Sequence, residues 1–282
     1  MRLFLFSCLV LFCNLSADAK SGVFSNFEEA LRTPNAVRVL RVPLRGLDSL
    51  PNVFDRFPNL EELNAANNRL TSLPPTLWTC ARLKKLNLQQ NNLASLPEAI
   101  GQLTQLQFLS VSRNQLTSLP QSIGQLTQLK ELYLSHNDLT SLPESIGNLR
   151  NLVLLLLNSN QLKTLPASFV TLPKLEIADF SRNALEVLPK DWSGLKNLEM
   201  LYLGYNSLRE LPESFGALQR LQELDVVRAG ILRMPPSLAN IQRLERVYID
   251  EHTMPFFQNP RFQNRQQILI GNSTMQPRQY GN

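Results

Sequence analysis

A period of 23 residues constrains this chain more than any other feature of its sequence. Residues 129–151 read LKELYLSHNDLTSLPESIGNLRN, and their apolar positions return at every shift of 23 residues in either direction. The first position of each copy is occupied by Val37, Leu60, Leu83, Leu106, Leu129, Leu152, Leu175, Leu198, Leu221 and Leu244. Ten copies with no insertion between them predict a solenoid, in which each repeat packs against its two neighbours.

The spacing of apolar residues inside one copy predicts its local structure. Positions 4 and 6, which are Leu132 and Leu134 in this copy, flank one residue that is free to face solvent. A period of two places both leucines on one side of a strand, and stacked copies then form a parallel sheet with strands ~4.8 Å apart. Pro143 at position 15 breaks strand pairing and can begin a short helical segment, which Ile146 and Leu149 direct back towards the core.

Position 9 predicts how the chain turns away from each strand. It is asparagine in seven consecutive copies: Asn68, Asn91, Asn114, Asn137, Asn160, Asn183 and Asn206. A turn inside the solenoid leaves backbone donors and acceptors away from water, and an asparagine amide offers two donors and one acceptor to satisfy them. The pattern therefore predicts a structural asparagine ladder that links successive repeats.

The repeat L-x-x-L-x-L-x-x-N-x-L, with Leu-Pro at positions 14 and 15, resembles the leucine-rich repeat family. The resemblance covers residues 37–257, and the 23-residue form is similar to that of bacterial secreted members and of some eukaryotic intracellular scaffolds. It implies an α/β solenoid: a leucine-rich-repeat horseshoe of about ten turns with a concave parallel β-sheet and short helices or turns on the convex side. It also implies a binding role without naming a partner.

The N-terminus has the composition of a secretory signal peptide. Residues 1–19 combine Arg2, an apolar run too short to span a membrane, and an Ala-Asp-Ala sequence that places cleavage before Lys20. Cleavage predicts a secreted or periplasmic protein, with no stable membrane insertion afterwards. The alternatives are an uncleaved anchor or, with less support, a lipoprotein modified at Cys8 or Cys13.

The remaining chain divides into three parts. Residues 20–36 form a predicted N-terminal helical cap that begins at a capping box, Ser25-Asn26-Phe27-Glu28. Ten leucine-rich repeats follow over residues 37–257, and a polar C-terminal tail occupies residues 258–282. We expect much of this tail to be disordered, although residues 266–271 could add a strand to the edge of the sheet.

The residues that usually carry catalysis are scarce and scattered. The 282-residue sequence contains two histidines, and His136 has Asp138 nearby but no second ligand for a metal and no nucleophile. Cys80 occupies a position that is leucine in other copies, so it is interpreted as a small buried side chain. These observations predict a non-enzymatic protein with no cofactor and no metal.

Charge does not favour a nucleic-acid partner. The net charge is +5, but basic residues alternate with acidic ones along the repeats, and no Lys/Arg stripe is evident at a fixed repeat position.

The concave face of the sheet is the predicted binding surface. Residues at positions 3, 5 and 8 are not needed in the core, and in the middle copies they are unusually apolar and aromatic. Contiguous apolar side chains on a surface, mixed with Tyr, Met and Arg, are typical of interfaces. The predicted partner-binding residues are Phe108, Tyr133, Leu154, Leu156, Ile177, Asp179, Arg182, Met200, Tyr202 and Tyr205.

The resulting hypothesis is a bacterial, exported protein–protein interaction module. The family resemblance extends it to a host protein as partner and thus to a virulence-related role. One alternative is an envelope protein that binds glycans through its aromatic, Asn and Asp side chains. Another is an intracellular signalling scaffold, which applies if the leader is not cleaved. The oligomeric state is left open.

Export predicts the N-terminal residue of the native protein. We expect mass spectrometry of the protein purified from its source to identify Lys20 as the first residue, because cleavage after a small-x-small sequence removes residues 1–19. A native protein that begins at Met1 would contradict export through a cleaved leader.

Overall fold

The computed structural model describes residues 21–230 and 232–250, together with the backbone of one further strand at residues 268–270. Twelve strands in these residues form one parallel sheet, and their order in the sheet follows their order in the chain. The signal peptide predicted at residues 1–19 and the disorder predicted for the tail lie outside the described residues.

The strands are short and evenly spaced along the chain. They are β1 Val23–Phe24, β2 Val39–Arg41, β3 Glu62–Asn64, β4 Lys85–Asn87, β5 Phe108–Ser110, β6 Glu131–Tyr133, β7 Leu154–Leu156, β8 Ile177–Asp179, β9 Met200–Tyr202, β10 Glu223–Asp225, β11 Arg246–Ile249 and β12 Ile268–Ile270. Strands β2 to β10 each occupy positions 3–5 of a repeat, and β11 also begins at position 3. In-register partners between repeats lie 23 residues apart, as for Leu109, Leu132 and Leu155.

Outside the sheet, the described residues include an α-helix near the N-terminus and a series of 3₁₀ segments, most of which lie on the opposite side of the solenoid. The α-helix, α1, spans Phe27–Arg32. The 3₁₀ segments span Pro34–Ala36, Phe54–Arg56, Pro75–Thr79, Glu98–Gln102, Gln121–Gln125, Glu144–Asn148, Ala167–Thr171, Glu213–Ala217 and Pro236–Asn240. Most follow the Leu-Pro pair of their repeat, since proline cannot donate to a sheet but suits the start of a helical turn. The predicted leucine-rich-repeat solenoid is thereby confirmed.

One continuous core runs the length of the solenoid. The side chains at positions 4 and 6, such as Leu132 and Leu134, have no solvent exposure, and Ile146 and Leu149 from the convex side are equally buried. Each repeat therefore buries its apolar face only by contacting the next one, so its stability depends on its neighbours.

The asparagines at position 9 connect each repeat to the preceding one. Asn114 Oδ1 accepts from the Leu93 N–H at 2.9 Å, while Nδ2 donates to the carbonyl oxygens of Leu88 and Val111, both at 3.0 Å. The same three contacts recur at Asn91, Asn137, Asn160, Asn183 and Asn206, and Asn68 makes an equivalent set.

The residue before each asparagine adopts a left-handed backbone conformation. Position 8 has φ between 54° and 59° in nine successive repeats, although none of these residues is glycine. The conformation is unfavourable for a side chain with a Cβ atom. Backbone hydrogen bonds to the next repeat offset this cost, as where the His136 N–H donates to the Asn158 carbonyl at 2.9 Å.

Glycine at position 19 permits close packing between convex segments. A Cβ atom on Gly124 would lie 2.5 Å from the carbonyl oxygen of Ser145, and one on Gly147 would lie 2.6 Å from that of Ser168. The regular glycines of the sequence thus reflect steric contact between repeats rather than a ligand-binding loop.

The repeat that begins at Leu175 departs from this regularity. Within the described chain, no 3₁₀ segment separates β8 from β9, and Trp192 fills the convex core position. Its indole Nε1–H donates to the Pro189 carbonyl at 2.8 Å, and its ring lies 5.5 Å from that of Phe169 and 4.7 Å from that of Phe215. A shallow depression between this repeat and the preceding one is lined by residues that include Val170 and Val187.

Both ends of the sheet differ from the expectation in detail. Helix α1 is capped by Asn26, whose Oδ1 accepts from the Glu29 N–H at 2.8 Å, so the predicted capping box starting at Ser25 was wrong by one residue. The two-residue strand β1 extends the sheet at its N-terminal edge and was not predicted from the sequence. At the other end, β12 pairs with β11, and β12 lies within residues 266–271, where an additional strand was predicted.

Cys80 is buried in the core, with 4% of its surface exposed. Its Sγ contacts the Phe54 carbonyl at 3.6 Å, and burial, followed by the charge of Asp55, raises the pKa of the thiol to about 12. A thiol in this state is protonated at neutral pH and is a poor nucleophile, as its repeat position indicated.

The asparagine ladder yields a stability prediction. Asn114→Ala removes the acceptor for a buried N–H and a donor to two buried carbonyls, so we expect the free energy of unfolding to fall by about 2–4 kcal/mol. Urea denaturation followed by circular dichroism measures this change. Asn148→Ala is the matched control, since Asn148 is exposed, and should change stability by less than about 0.5 kcal/mol. Equal effects of both substitutions would contradict the ladder's role.

Candidate interaction surface

The sheet brings most of the predicted partner-binding residues into two parallel columns. The register aligns Phe108, Glu131, Leu154, Ile177 and Met200 at position 3. At position 5 it aligns Tyr133, Leu156, Asp179 and Tyr202. The apolar column Leu154–Ile177–Met200 is contiguous and partly exposed, whereas Glu131 separates it from Phe108.

The N-terminal half of the concave face is more polar. A concavity of about 490 Å³ has one wall formed by the rings of Phe108 and Tyr133, whose centroids are 5.2 Å apart. Arg41 and Glu62 form a salt bridge of 3.0 Å on the other side of this concavity. The Tyr133 hydroxyl donates to Glu131 Oε2 at 2.9 Å, and burial together with this bond raises the pKa of the phenol.

Two residues expected to be exposed are buried. Leu156 and Tyr202 retain 6% and 7% of their surface, so their expected exposure was wrong, although neither belongs to the continuous core of the solenoid. Large side chains at position 5 pack against the copies that flank them ~4.8 Å away. The Tyr202 hydroxyl also donates to Glu223 Oε1 at 2.9 Å. The exposed apolar surface is therefore narrower than expected and is centred on position 3.

Asp179 has a local structural contact that the sequence analysis did not anticipate. Its Oδ1 accepts from the Ser181 N–H at 2.9 Å, and Asn64, Asn87 and Asp225 make the same bond two residues ahead. Such Asx contacts stabilise the turn that leads into the left-handed residue. Burial raises the pKa of Asp179, against the effects of the Ser181 bond and of the Arg182 charge.

Basic and aromatic side chains line the turns at the end of the strands. Six successive position-8 residues are Arg113, His136, Ser159, Arg182, Tyr205 and Arg228, and we name the five other than Ser159 the turn column. The Arg182 guanidinium carbon lies 4.4 Å from the Tyr205 ring centroid, and that of Arg228 lies 5.6 Å from it. Cation–π contacts of this length hold guanidinium groups without consuming their N–H donors.

Position 8 is arginine in three of its ten copies, Arg113, Arg182 and Arg228, and it is acidic in the last copy, Glu251. This is not a Lys/Arg stripe, and the stacking of two of these arginines on Tyr205 was not evident from the sequence. Among the salt bridges between described residues, none involves Arg113, Arg182 or Arg228.

The pKa of His136 reflects the positive charge of the neighbouring arginines in the turn column. Its pKa is lowered, first by desolvation and then by the positive charges of Arg113 and Arg182. The neighbouring Asp138 is engaged with Gln161, whose amide donates to Asp138 Oδ1 at 2.9 Å. This arrangement fits a structural imidazole beside two cations better than a catalytic pair.

Groups suited to metal binding are not assembled in the described part of the chain. Within residues 21–230 and 232–250, no three His, Cys, Asp or Glu side chains come together as metal ligands. Over the same ranges, no helix combines the length and the apolar character needed to cross a membrane.

Comparison with protein families and solved structures agrees with this architecture. A leucine-rich repeat region family matches residues 55–137, and a leucine-rich repeat family matches residues 127–185 and 179–229. A comparison with curated proteins found no match. The chain belongs to the leucine-rich repeat family.

Three solved structures illustrate the range of similar proteins. A leucine-rich repeat protein of Leptospira interrogans is 37% identical with a TM-score of 0.74, over 79% of this chain and 57% of its own. TLR13, solved in complex with ssRNA13, is 27% identical with a TM-score of 0.71, over 86% and 38%.

The third structure is the ectodomain of the membrane receptor kinase GASSHO1/SCHENGEN3 from Arabidopsis thaliana, in complex with Casparian strip integrity factor 2. It is 27% identical to this chain with a TM-score of 0.65, over 81% of this chain and 32% of the receptor. This chain thus spans about a third to somewhat over half of the length of these proteins.

The turn column predicts a measurable shift in the titration of His136. We expect Arg113→Gln with Arg182→Gln to raise its pKa towards 6.5, because removing two nearby cations makes the imidazolium less unfavourable. Desolvation remains, so the shift is partial. NMR titration of the imidazole protons measures it. The control Arg69→Gln with Arg150→Gln removes two charges elsewhere and should leave the pKa unchanged; a rise there would assign the effect to net charge.

Proposed function

We propose that this protein is a non-enzymatic protein–protein interaction module, exported by a bacterium, that binds a protein partner through its concave face. The observation that carries the proposal is the contiguous, partly exposed apolar column Leu154–Ile177–Met200 on β7, β8 and β9. Apolar side chains that stay on a solvated sheet face are unfavourable in isolation and usually mark an interface.

The surroundings of this column resemble a protein interface in composition. Aromatic side chains flank it at Phe108 and Tyr133, and Tyr205 lies at the end of the strands with Arg182. Tyr, Met and Arg are enriched in interfaces, where an apolar centre is surrounded by polar contacts. A glycan-binding face would instead need more exposed hydrogen-bonding groups around its aromatic rings, yet Tyr133 already donates its hydroxyl to Glu131.

Export and a bacterial source are each supported by one observation. The signal-peptide composition of residues 1–19 favours secretion or passage to the periplasm. The similarity to the Leptospira interrogans protein, at 37% identity, places a bacterial protein among the structural relatives. The complex of the plant receptor with its integrity factor supports a binding role for this fold, and a host protein as partner follows by analogy with bacterial secreted repeat proteins.

A capture experiment tests the proposal. The full-length protein serves as bait beside a variant with Leu154→Thr, Ile177→Thr and Met200→Thr. Threonine retains a high preference for strands, so the sheet should persist while the apolar surface is removed. We expect the variant to lose at least tenfold of its affinity for the captured protein, measured by calorimetry after the partner is identified by mass spectrometry.

The matched control removes apolar side chains from the convex side. Val170→Thr with Val187→Thr changes two residues that line the shallow depression described above. This variant should bind the partner as the unmodified protein does. Circular dichroism establishes that all three proteins are folded. Equal binding by the unmodified protein and the concave-face variant would contradict the proposed site, and capture of glycans but no protein would contradict the proposed function.

A further inference from the structure

The turn column has features of a recognition surface that the apolar column alone does not provide. Its three arginines belong to different repeats, and their charges are not neutralised by a salt bridge within the described chain. The left-handed backbone at position 8 is the same in each repeat, so the side chains leave successive turns in a common direction. A row of cations arranged in this way attracts a negatively charged partner.

The contacts of Tyr205 organise two of these cations. Arg182 and Arg228 come from the repeats on either side of it, and both guanidinium groups lie over its ring. Stacking restricts the arginine side chains but leaves the planar edge of each guanidinium available, and this edge matches the two oxygens of a carboxylate. Less side-chain entropy is then lost when a carboxylate binds.

The dimensions of the turn column fit an extended chain. From Arg113 to Arg228 there are five repeat steps, which correspond to about 24 Å at ~4.8 Å per strand. A peptide in extended conformation covers this distance with about seven residues at ~3.4 Å each. Such a peptide would run across the ends of the strands, with the position-5 column between it and the apolar column of position 3.

We propose that the turn column binds an extended acidic segment of about seven residues in the protein partner, with its carboxylates paired to Arg113, Arg182 and Arg228. The inference rests on the proposed function, since it describes the partner of the same face. It adds the chemistry of that partner: carboxylates over the turn column, and apolar side chains over Leu154, Ile177 and Met200.

A nucleic acid fits this surface less well than an acidic peptide. A single strand carries a negative charge at every phosphate, whereas only three of the six position-8 residues from Arg113 to Arg228 are arginine. The positive charge of the turn column is therefore too sparse to match a uniformly charged polymer. A peptide can place its acidic residues over the turn column and its apolar residues over the strands.

Binding of a defined peptide tests the inference. The probe is an acetylated and amidated heptapeptide with Glu at alternate positions and Ala between them, titrated into the full-length protein and followed by NMR. We expect Arg113→Gln, Arg182→Gln and Arg228→Gln together to weaken its binding about tenfold or more. Saturation with the peptide should also raise the pKa of His136, because carboxylates then offset the neighbouring cations.

A matched variant separates the turn column from net charge. Arg69→Gln, Arg150→Gln and Arg209→Gln remove the same number of charges from exposed positions outside the column, and peptide binding should then weaken by less than about twofold at physiological salt. Equal weakening in both variants, or no peptide binding by the unmodified protein, would overturn the inference. Tighter binding of heptathymidylate than of the peptide would assign the surface to nucleic acid instead.

The two proposals fail in different ways. If the threonine variant loses the captured partner while the turn-column variant retains it, the concave face is the binding site and the acidic-segment inference is wrong. If the heptapeptide binds the turn column but no protein is captured through the concave face, the proposed function fails while the acid-binding surface stands.

Discussion

The rest of the structure depends on the hydrogen bonds made by the side-chain amide of the position-9 asparagine. Each described strand has only two to four residues, and within the repeats the chain must then turn while its backbone is still enclosed by the core. The asparagine side chain makes hydrogen bonds to buried backbone groups of its own turn and of the preceding repeat, as the three contacts of Asn114 show. Because the asparagine holds two adjacent repeats at once, it fixes their register as well as their turn.

That register has consequences for the surface. With strands aligned at intervals of 23 residues, any residue type that recurs at one repeat position becomes a row of neighbouring side chains. The core leucines form such a row, and so do Leu154, Ile177 and Met200 at position 3, whereas the arginines at position 8 are interspersed with other residues. A small change in sequence can therefore alter a binding surface without altering the fold, provided that positions 4, 6 and 9 are kept.

The two rows that we propose as partner-binding surfaces differ in physical character. The Leu154–Ile177–Met200 column offers apolar contact area, which contributes to affinity when water is excluded. The turn column offers fixed positive charge, which influences the rate of association and the choice of partner more than the affinity. A protein segment that combines acidic and apolar residues could use both rows, and neither row requires a catalytic group.

The sequence by itself determined the solenoid, the strand positions, the asparagine ladder and the burial of Cys80, since in a repeat protein each residue's neighbours are copies of its own position. It could not determine that Leu156 and Tyr202 are buried, because this depends on packing between unlike side chains. The left-handed backbone at position 8 and the stacking of Arg182 and Arg228 on Tyr205 likewise required the tertiary structure. Periodicity specifies which residues are adjacent, whereas side-chain direction and burial are decided by three-dimensional packing.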